Sequence, residues 1–412
     1  MKIYQVGGAV RDKILNIPSQ DIDYLITGSS IDEMLSLGYI QVGKNFPVFI
    51  NPQNKCEYAL ARKEIKTGPK HTDFKFIFTP NITLEEDSLR RDFTCNALIF
   101  DPETQQIMDF HNGIQDIKNK IIRHINSEHF IEDPLRVLRM CRFSAQLDFD
   151  IAAETMTLAR QMVDKQMLKH LSPDRIWQEI SKALQTPHFD KFILSAKECG
   201  ALRQILPEID QLFSIPENPH THPEKTVGNH TILALQYAAN FAPITKFAIL
   251  THDVGKLKTP TNEYPKHHNH HINGVDIINQ ICARLKIPNS FKKFATLCCK
   301  YHTHFAEIEN ISFENLADIT DAFIKTDTAE FINVCKADFY GRNIKYSDEL
   351  FEKRKQIFDK SINIIKKITP DNIPDFATTP KDKSFGNILK QHKITLLQNN
   401  FPLKKDILHL KK

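Results

Sequence analysis

The hydrophobic pattern divides the chain into an N-terminal part of mixed strands and helices and a long helical remainder. Apolar and polar side chains alternate over residues 1–6, as in a half-buried strand, until Gly7-Gly8 interrupts them and a short helical run follows to Pro18. From Glu132 onward the spacing of apolar residues is that of helices joined by short loops. Further short strands are predicted at residues 21–26, 46–50, 56–60 and 74–78.

Two local patterns refine this picture. Thr83 and Glu86 have the spacing of a capping box, which predicts that a helix begins there. Residues 66–73 are polar and contain a Gly-Pro pair, so we expect a mobile loop that either only connects strands or moves during catalysis.

Composition indicates a globular protein of several domains. The chain has 412 residues, 41% of them hydrophobic, and no run approaches the roughly 18 apolar residues of a membrane span. Its first residues lack the pattern of a signal peptide, so we expect no membrane association and a cytoplasmic location. The eight cysteines are scattered without a CxxC pair, which predicts reduced and mostly buried thiols. A net charge of +4 permits a nucleic-acid partner without requiring one.

The first candidate chemistry lies in residues 7–23. Asp21 and Asp23 are two apart in a predicted strand, so both carboxylates point to one face. Such a pair repels unless cations lie between the two groups, and two Mg²⁺ ions roughly 3.5–4 Å apart are the usual arrangement for phosphoryl transfer. The glycine turn lets backbone N–H groups approach a phosphate closely, with Arg11 as a charged partner.

Four motifs together carry a family resemblance. Residues 7–12, 21–23, 90–97 and 132–143 resemble, in order and spacing, the class II CCA-adding tRNA nucleotidyltransferases. A later histidine-rich region resembles the HD domain found in one bacterial branch of that family. The resemblance implies template-independent addition of C, C and A to the 3′ end of tRNA from CTP and ATP, with release of pyrophosphate.

The resemblance also implies an α+β fold in four parts. A nucleotidyltransferase head with a mixed, polymerase-β-like sheet would span residues 1–125, and a helical neck and body would follow over 126–225. A helical HD domain would occupy residues 226–345, and a helical tail in contact with RNA would complete the chain over 346–412. The implied partners are ATP, CTP and the acceptor arm of tRNA, bound to a monomer or homodimer.

In the head, the resemblance implies that Asp21 and Asp23 are catalytic and hold Mg²⁺. Glu57 is either an auxiliary carboxylate or a solvent-facing glutamate on an edge strand. Residues 174–179 resemble a family motif that supports a helix and usually starts with Glu instead of Asp. The residues implied to bind the nucleotide are Gly8, Arg11, Arg91, Asp133, Arg136 and Arg139.

Asp133, Arg136 and Arg139 follow one another in steps of three, which predicts one polar stripe on a helix. Cytosine and adenine both present an amino donor beside a ring-nitrogen acceptor, whereas uracil and guanine present a carbonyl beside an N–H. A carboxylate at Asp133 and a guanidinium at Arg136 therefore match the two accepted bases. Sites of this kind reject the wrong base by roughly 10⁴-fold. The protein side chains would then act as the template.

The second constellation is a histidine-rich region, since ten of the 18 histidines fall between His220 and His304. Its H…HD…H…H…D order resembles HD phosphohydrolases, which implies phosphatase, 2′-nucleotidase or 2′,3′-cyclic phosphodiesterase activity with a divalent transition metal such as Ni²⁺ or Mn²⁺. His267, His268, His271 and His304 are alternative ligands, whereas His220 and His222 are expected to be loop residues. The implied metal ligands are His230, His252, Asp253, His270, His302 and Asp338.

Two other functions stay open at this point. The first is a bacterial poly(A) polymerase, which shares the head motifs. The second is a hydrolytic or RNA-binding protein whose head is inactive, so that only the histidine-rich site could be catalytic. We expect tRNA to be bound by shape and charge, with an affinity that falls steeply as salt rises. The candidate basic clusters are residues 353–355, 366–367, 404–405 and 411–412.

Overall fold

The computed structural model describes residues 1–19, 22–42, 48–68, 74–368, 373 and 383–401. These residues form two compact units. The first comprises Met1–Glu179 and Lys191–Ile205, and the second comprises Ile180–Asp190 and Leu206–Lys412. The predicted α+β class is confirmed, because sheet and helix are mixed in the head and helices make up nearly all of the rest. Within the described ranges, no helix is both long and apolar enough to cross a membrane.

The strands of the first unit form a seven-stranded sheet of order β3-β4-β5-β2-β1-β8-β9, a hairpin of β6 with β7, and a small parallel pair of β10 with β11. In the large sheet, β2 pairs antiparallel with β1 and parallel with β5, so the sheet is mixed as predicted. The strands are β1 (Lys2–Val6), β2 (Asp23–Thr27), β3 (Ile40–Val42), β4 (Val48–Ile50), β5 (Glu57–Leu60), β6 (Lys63–Lys66), β7 (Phe74–Ile77), β8 (Ile99–Asp101), β9 (Gln106–Met108), β10 (Ile121–Ile122) and β11 (Asp150–Ile151).

Apolar residues on the two faces of this sheet belong to two separate cores. Leu25 and Ile26 are neighbours on β2, and because strand side chains alternate, each enters a different core. Leu25 packs with Tyr4 and Val6, whereas Ile26 packs with Phe49 among others. The sheet therefore carries an apolar core on each of its two faces.

In the described residues, ten helices complete the first unit or join it to the second. Thr83 caps the third of them with the predicted capping box, since its side chain accepts from Glu86 N and Glu86 accepts from Thr83 N. The helices are α1 (Gly8–Ile14), α2 (Ile31–Ser36), α3 (Leu84–Leu89), α4 (Gly113–Lys118), α5 (Ser127–Glu132), α6 (Leu135–Leu147), α7 (Ala153–Asp164), α8 (Pro173–Leu184), α9 (Phe189–Glu198) and α10 (Leu202–Ile205).

The second unit is helical around an aromatic core. Phe323 and Phe331 stack with ring centroids 3.8 Å apart, while Phe305 packs edge-on against Phe331 and Phe358 packs edge-on against Phe323. Short 3₁₀ helices lie at Val254–Lys258 and Thr261–Glu263. The α-helices are α11 (Pro207–Leu212), α12 (Val227–Tyr237), α13 (Pro243–Thr251), α14 (His270–Arg284), α15 (Asn289–Ala306), α16 (Phe313–Phe323), α17 (Thr328–Tyr340), α18 (Asp348–Lys366) and α19 (Lys383–Asn400).

Several predictions concern residues outside the described part of the chain. Asp21, residues 69–73 of the predicted loop and the basic pairs at 404–405 and 411–412 all lie outside them. All eight cysteines are described and free, and seven are buried as predicted, Cys56 being half-buried.

Candidate nucleotide and metal sites

One cavity of about 480 Å³ in the first unit collects the polar motifs of the head. It is lined by residues from the glycine turn, β2, the segment after α3, α6 and the start of α8. All six residues predicted to bind a nucleotide lie on its wall together with one predicted catalytic carboxylate. These residues are Gly8, Arg11, Asp23, Arg91, Asp133, Arg136 and Arg139.

The glycine turn brings the backbone close to two charged side chains. Gly7 has φ 75°, and a Cβ at this position would lie 3.5 Å from Arg91 Nη1 and 3.8 Å from Asp23 Oδ2. Arg11, buried on the following helix, donates from Nη1 to Asn96 Oδ1 at 2.6 Å and from Nη2 to Asp12 Oδ1 at 2.7 Å. The two distances from the Cβ position of Gly7 are ordinary van der Waals contacts, so the turn favours glycine for its positive φ and not for lack of space.

Asp23 opens β2 and is exposed at the cavity. Because Tyr24 pairs in parallel with Tyr58, Asp23 and Glu57 each lie one residue before a paired residue and point to the same side. Both line a second, smaller cavity of about 190 Å³. The prediction that Glu57 lies on an edge strand is wrong, because β5 lies between β4 and β2; its solvent exposure is confirmed.

The two arginines after α3 are fixed by a carboxylate at its buried face. Asp87 is fully buried and accepts from Arg90 Nη2 at 2.8 Å and from Arg91 Nη2 at 3.3 Å. The Arg91 Nε atom is buried without a hydrogen-bond partner. Arg91 thus combines a fixed position with an unsatisfied donor, which is the arrangement expected of an anion-binding group.

A chain of hydrogen bonds connects α1 with α6 across the cavity. Asn96, which accepts from Arg11, donates to Asp92 Oδ1 at 3.2 Å. The other oxygen of Asp92 accepts from Arg139 at 2.7 Å to Nε and 2.5 Å to Nη2. Burial alone would raise the pKa of the Asp92 carboxyl, but the ion pair with Arg139 holds this pKa below its usual value. The predictions did not include Asn96 as a contact, although it lies inside one of the motifs.

The predicted polar stripe on one helix is wrong for Asp133. This residue ends α5 in an extended conformation and α6 begins only at Leu135, because Pro134 disfavours helical geometry at the residue before it. Asp133 Oδ1 accepts from Leu135 N at 3.1 Å, and Oδ2 accepts from Arg175 Nη2 at 2.8 Å. Arg136 lies on α6 and donates to Arg90 O at 2.6 Å and to a second carbonyl on α5. The carboxylate and the guanidinium nevertheless reach the same cavity.

In the second unit, two glycines allow the predicted metal ligands to meet. A Cβ on Gly255 would lie 1.8 Å from His270 O, and one on Gly274 would lie 2.4 Å from Cys299 Sγ. The 3₁₀ helix that follows Asp253 can therefore pack directly against the start of α14. Since His252 and Asp253 immediately precede that 3₁₀ helix, this packing places the HD pair beside His270.

Asp253 lies at the centre of the histidines. Its Oδ2 atom is 3.2 Å from His252 Nε2, and its Oδ1 atom is 3.3 Å from His270 Nε2 and 3.4 Å from His302 Nε2. His230 Nε2 lies 3.1 Å from Asp338 Oδ1. The structure thus brings all six predicted ligands together, and five of them are buried.

The hydrogen bonds of the rings fix which nitrogen carries a proton. Nδ1 faces a backbone carbonyl in His252 at 2.7 Å, in His270 at 2.7 Å and in His302 at 2.8 Å. A carbonyl only accepts, so each Nδ1 must donate and each neutral ring turns the lone pair of Nε2 toward Asp253. Lone pairs facing carboxylate oxygens repel unless a cation lies between them. The donor set therefore fits a divalent transition metal.

Glu224 supports His230, and no pattern in the sequence pointed to this contact. Its Oε1 atom is 3.1 Å from His230 Nδ1 and 2.9 Å from His222 Nδ1. Burial would raise the pKa of Glu224, but its hydrogen bonds, first of all the one with His230, lower this pKa to about 2. His222 lies in the loop as expected, but it is buried against the ring of His230.

The alternative histidine ligands are placed elsewhere. Both ring nitrogens of His267 have other partners, Thr259 Oγ1 at 3.0 Å and Pro216 O at 2.9 Å. His268 is exposed, and the rings of His271 and His304 pack against each other with centroids 5.4 Å apart. The histidines that Asp253 contacts are instead His252, His270 and His302.

A cavity of about 320 Å³ opens beside His302 and Asp338, two of the predicted metal ligands. Its wall combines aromatic rings with two arginines. Arg342 donates to Asp338 Oδ1 at 2.7 Å, and Arg354 donates from Nε to Glu309 at 3.2 Å. The predicted basic cluster at 353–355 therefore has one member inside this cavity instead of on an open face.

A mixed-sheet head with an arginine-rich cavity and a helical unit with a buried cluster of histidines and aspartates together define a class of nucleotidyltransferase that carries an HD phosphohydrolase. Family models agree with this division: "Poly A polymerase head domain" matches residues 3–123, "Probable RNA and SrmB- binding site of polymerase A" matches 148–213, and "HD domain" matches 227–326. The chain belongs to the multifunctional CCA protein family.

Two relatives carry that assignment. The multifunctional CCA protein of Vibrio parahaemolyticus is 43% identical over 352 residues, covering 83% of this chain and 86% of the relative. That of Acinetobacter baumannii strain AYE is 38% identical over 406 residues, covering 96% and 97%.

Solved structures share the fold at low identity. The CCA-adding enzyme of Thermotoga maritima complexed with tRNA superposes with a TM-score of 0.63 at 18% identity, covering 100% of this chain and 91% of that one. A CCA-adding enzyme in complex with ATP gives a TM-score of 0.63 at 19% identity, covering 96% and 85%.

Proposed function

We propose that the chain adds and repairs the 3′-terminal CCA of tRNA with its head and hydrolyses phosphoesters with its HD domain. The observation that carries this proposal is the single cavity in which Asp23, Arg91 and the pair Asp133 and Arg136 meet. That cavity combines a carboxylate for metal, donors for a triphosphate, and an acceptor beside a donor for a base. The names of the family relatives support the same activity.

In the head, Asp21 and Asp23 would hold Mg²⁺. This ion, when bound, lowers the pKa of the attacking 3′-hydroxyl and neutralises charge on the triphosphate. Arg91 would bind the phosphates through its buried, unpartnered Nε, and Arg11 would lie beside it at the glycine turn.

Base selection would depend on two side chains that the fold holds in place. The carboxylate of Asp133 is oriented by Leu135 N and Arg175, and Arg136 is oriented by backbone carbonyls. Asp133 would accept from the amino group of cytosine or adenine, and Arg136 would donate to the ring nitrogen. Uracil and guanine present the opposite pattern, so their binding would leave buried groups facing like partners.

In the HD domain, the buried histidines and carboxylates would hold a divalent metal such as Ni²⁺ or Mn²⁺. When bound, such an ion activates water for attack on phosphorus. The adjoining cavity supports a nucleotide substrate, because Arg342 and Arg354 would bind a phosphate while Phe339 and Tyr346 would pack against a base. The expected substrates are 2′-phosphates and 2′,3′-cyclic phosphates at a nucleotide end.

Poly(A) addition is the second candidate, favoured by the poly(A) polymerase description of the head model. One experiment separates the two activities: a tRNA transcript lacking its terminal CCA is incubated with ATP, CTP, UTP and GTP singly and together, and product length is read on a gel. CCA addition requires growth by two residues with CTP alone and by three with CTP and ATP. A long ladder with ATP alone would instead establish poly(A) polymerase activity.

The remaining assignments stay predictions. They comprise the acceptor arm as the part of tRNA that is bound, a cytoplasmic location, and a monomeric or homodimeric state. The four-part domain division at residues 125, 225 and 345 is likewise a prediction.

A further inference from the structure

We propose that Phe143 is a positioning residue for nucleotide binding, whose ring holds three arginines of the head cavity together where the phosphates of CTP or ATP would lie. The inference rests on the proposed nucleotidyltransferase function and deepens the account of the same cavity. The sequence predictions assigned no role to this phenylalanine, although it ends one of the four head motifs.

Three guanidinium groups approach the ring of Phe143. The Cζ atom of Arg142 lies 3.9 Å from the centroid of this ring. The Cζ atoms of Arg139 and Arg11 lie 5.3 Å and 5.5 Å from it. A cation within about 6 Å of an aromatic centroid is attracted by the negative charge of the ring face. All four side chains line the cavity of about 480 Å³, so this attraction acts on the cavity wall.

The ring also connects two helices that are far apart in the chain. Arg139 and Arg142 precede Phe143 on α6, whereas Arg11 lies on α1, directly after the glycine turn. Phe143, Arg142 and Arg11 are each less than one-tenth exposed, so water screens their attraction only weakly. Phe143 therefore helps to fix the guanidinium of Arg11 relative to those of α6.

Three like charges in one place repel one another and need compensation. Burial, above all, and the charge of Arg139 lower the pKa of the Arg142 guanidinium, although Glu179 opposes this shift. Each guanidinium forms an ion pair with a different carboxylate, so no carboxylate gathers all three. In the order Arg11, Arg139 and Arg142, these partners are Asp12, Asp92 and Glu179.

Among the hydrogen bonds, ion pairs and ring contacts of the described residues, the ring of Phe143 is the contact that all three arginines share. A triphosphate is strongly anionic and would meet guanidiniums that are already assembled. Less conformational entropy is then lost on binding than if the nucleotide itself had to gather the arginines.

Graded fluorination of the ring tests the proposal, because it withdraws negative charge from the ring face and nearly preserves the shape of the side chain. Phe143 of the full-length protein is replaced by mono-, di- and trifluorinated phenylalanine, and the Kd for CTP is measured by equilibrium dialysis without tRNA. This Kd should rise with each fluorine, by roughly 10-fold in total. The Kd for cytidine, which has no phosphates, should stay constant.

Phe130 is the matched control, because it packs edge-on against Phe93 as Phe143 does, and no arginine lies over its ring in the contacts of the described residues. Trifluorinated phenylalanine at position 130 should keep the Kd of the parent for CTP. Circular dichroism checks that each variant is folded. A constant Kd for CTP across the series at position 143, or an equal rise for cytidine or for the control, would overturn the proposal. A folded Phe143→Leu that binds CTP as tightly as the parent would do the same.

Extension of a tRNA transcript lacking its CCA by the parent, measured in parallel, separates this inference from the proposed function. Extension by the parent together with a constant Kd across the series would overturn the role of Phe143 and leave the function intact. A Kd for CTP that rises across the series in a protein that extends no RNA would support the role of Phe143 and contradict the function.

Discussion

Arg175 donates a hydrogen bond from Nη2 to Oδ2 of Asp133 at 2.8 Å, so a residue on α8 orients the carboxylate that faces the head cavity. The other oxygen of Asp133 is held by Leu135 N. A carboxylate that is fixed at both oxygens has little freedom to turn toward a different hydrogen-bond pattern on the base. We therefore expect Arg175 to act with Arg136 in the proposed selection of the nucleotide.

Arg175→Ala should relax nucleotide selection. Hydrogen bonds to charged groups contribute about 1.5–3 kcal/mol, so the preference for CTP over UTP should fall roughly 10- to 150-fold. The ratio of kcat/KM for the two nucleotides measures it. Arg160→Ala removes an exposed arginine of the same unit, paired with Glu198, and should leave the ratio unchanged. If Asp133→Ala lowered kcat/KM for CTP and UTP by the same factor, so that the ratio stayed constant, the role of Asp133 in base selection would be wrong.

Asp23→Ala should abolish addition of both C and A while leaving tRNA binding nearly intact. Loss of a metal ligand removes several kcal/mol of transition-state stabilisation, which corresponds to at least about 10³-fold in rate. Asp21→Ala should behave alike, since one metal site serves every addition. Product length and filter binding of tRNA are the two measurements. Asp32→Ala, an exposed aspartate on α2, is the control. Loss of only one of the two additions would contradict a shared site.

His252→Ala and Asp253→Ala should each abolish hydrolysis of a 2′,3′-cyclic nucleotide and preserve nucleotide addition. The reason is that the HD ligands and the residues of the head cavity belong to separate compact units. Both activities are measured on the same preparation, with circular dichroism as the test of folding. A folded variant that loses both activities would show that the two sites are coupled.

Arg354→Gln should weaken binding of the phosphoester substrate to the HD domain. Arg354 lines the cavity beside His302 and Asp338, and a charge-assisted hydrogen bond to phosphate contributes about 1.5–3 kcal/mol. We therefore expect KM for a 2′-nucleotide to rise roughly 10-fold or more, with a smaller change in kcat. Lys353→Gln changes the exposed neighbouring residue and should have no effect. An equal effect of the two variants would assign Arg354 to the general basic surface.

Acid should destabilise the first unit through Asp92. The folded pKa of this carboxyl is lowered, so its stabilising effect is complete above its unfolded pKa of about 3.9 and is lost as pH falls below that value. Asp92→Asn should cost roughly 1–3 kcal/mol at pH 7 and should flatten the loss of stability in acid. The single tryptophan, Trp177, lies in this unit and reports its urea unfolding by fluorescence. Asp164→Asn, an exposed control, should keep the pH profile of the parent.

The sequence predicted features that depend on local chemistry. The capping box at Thr83 and the turn at Gly7 follow from short-range hydrogen bonding and backbone freedom, and the structure has both. The position of Asp133 outside the helix was also readable, because a residue before proline avoids helical geometry. The predicted polar stripe of Asp133, Arg136 and Arg139 was based on spacing alone and did not take the proline into account.

The sequence did not predict features that depend on contacts between residues far apart in the chain. The order of strands decides whether Glu57 is on an edge, and that order is set by contacts across the whole sheet. Likewise, Arg175 meets Asp133 across 42 residues, and Glu224 reaches His230 from an irregular loop without periodicity. Histidine spacing predicted which side chains lie together, but it did not indicate that Oδ2 of Asp253 faces His252 while Oδ1 faces His270 and His302.

The head cavity also concentrates the charge of the molecule. Seven arginines and three aspartates of the described residues line it, so their formal charges leave an excess of +4, equal to the net charge of the entire chain. The rest of the protein is therefore electrically balanced. Field lines from an unbalanced cleft with a low-dielectric wall draw polyanions toward the opening before any contact forms, and dissolved ions shorten the range of this attraction to about 8 Å at physiological ionic strength. We therefore expect the encounter with nucleotides and with an RNA end to be directed toward this opening.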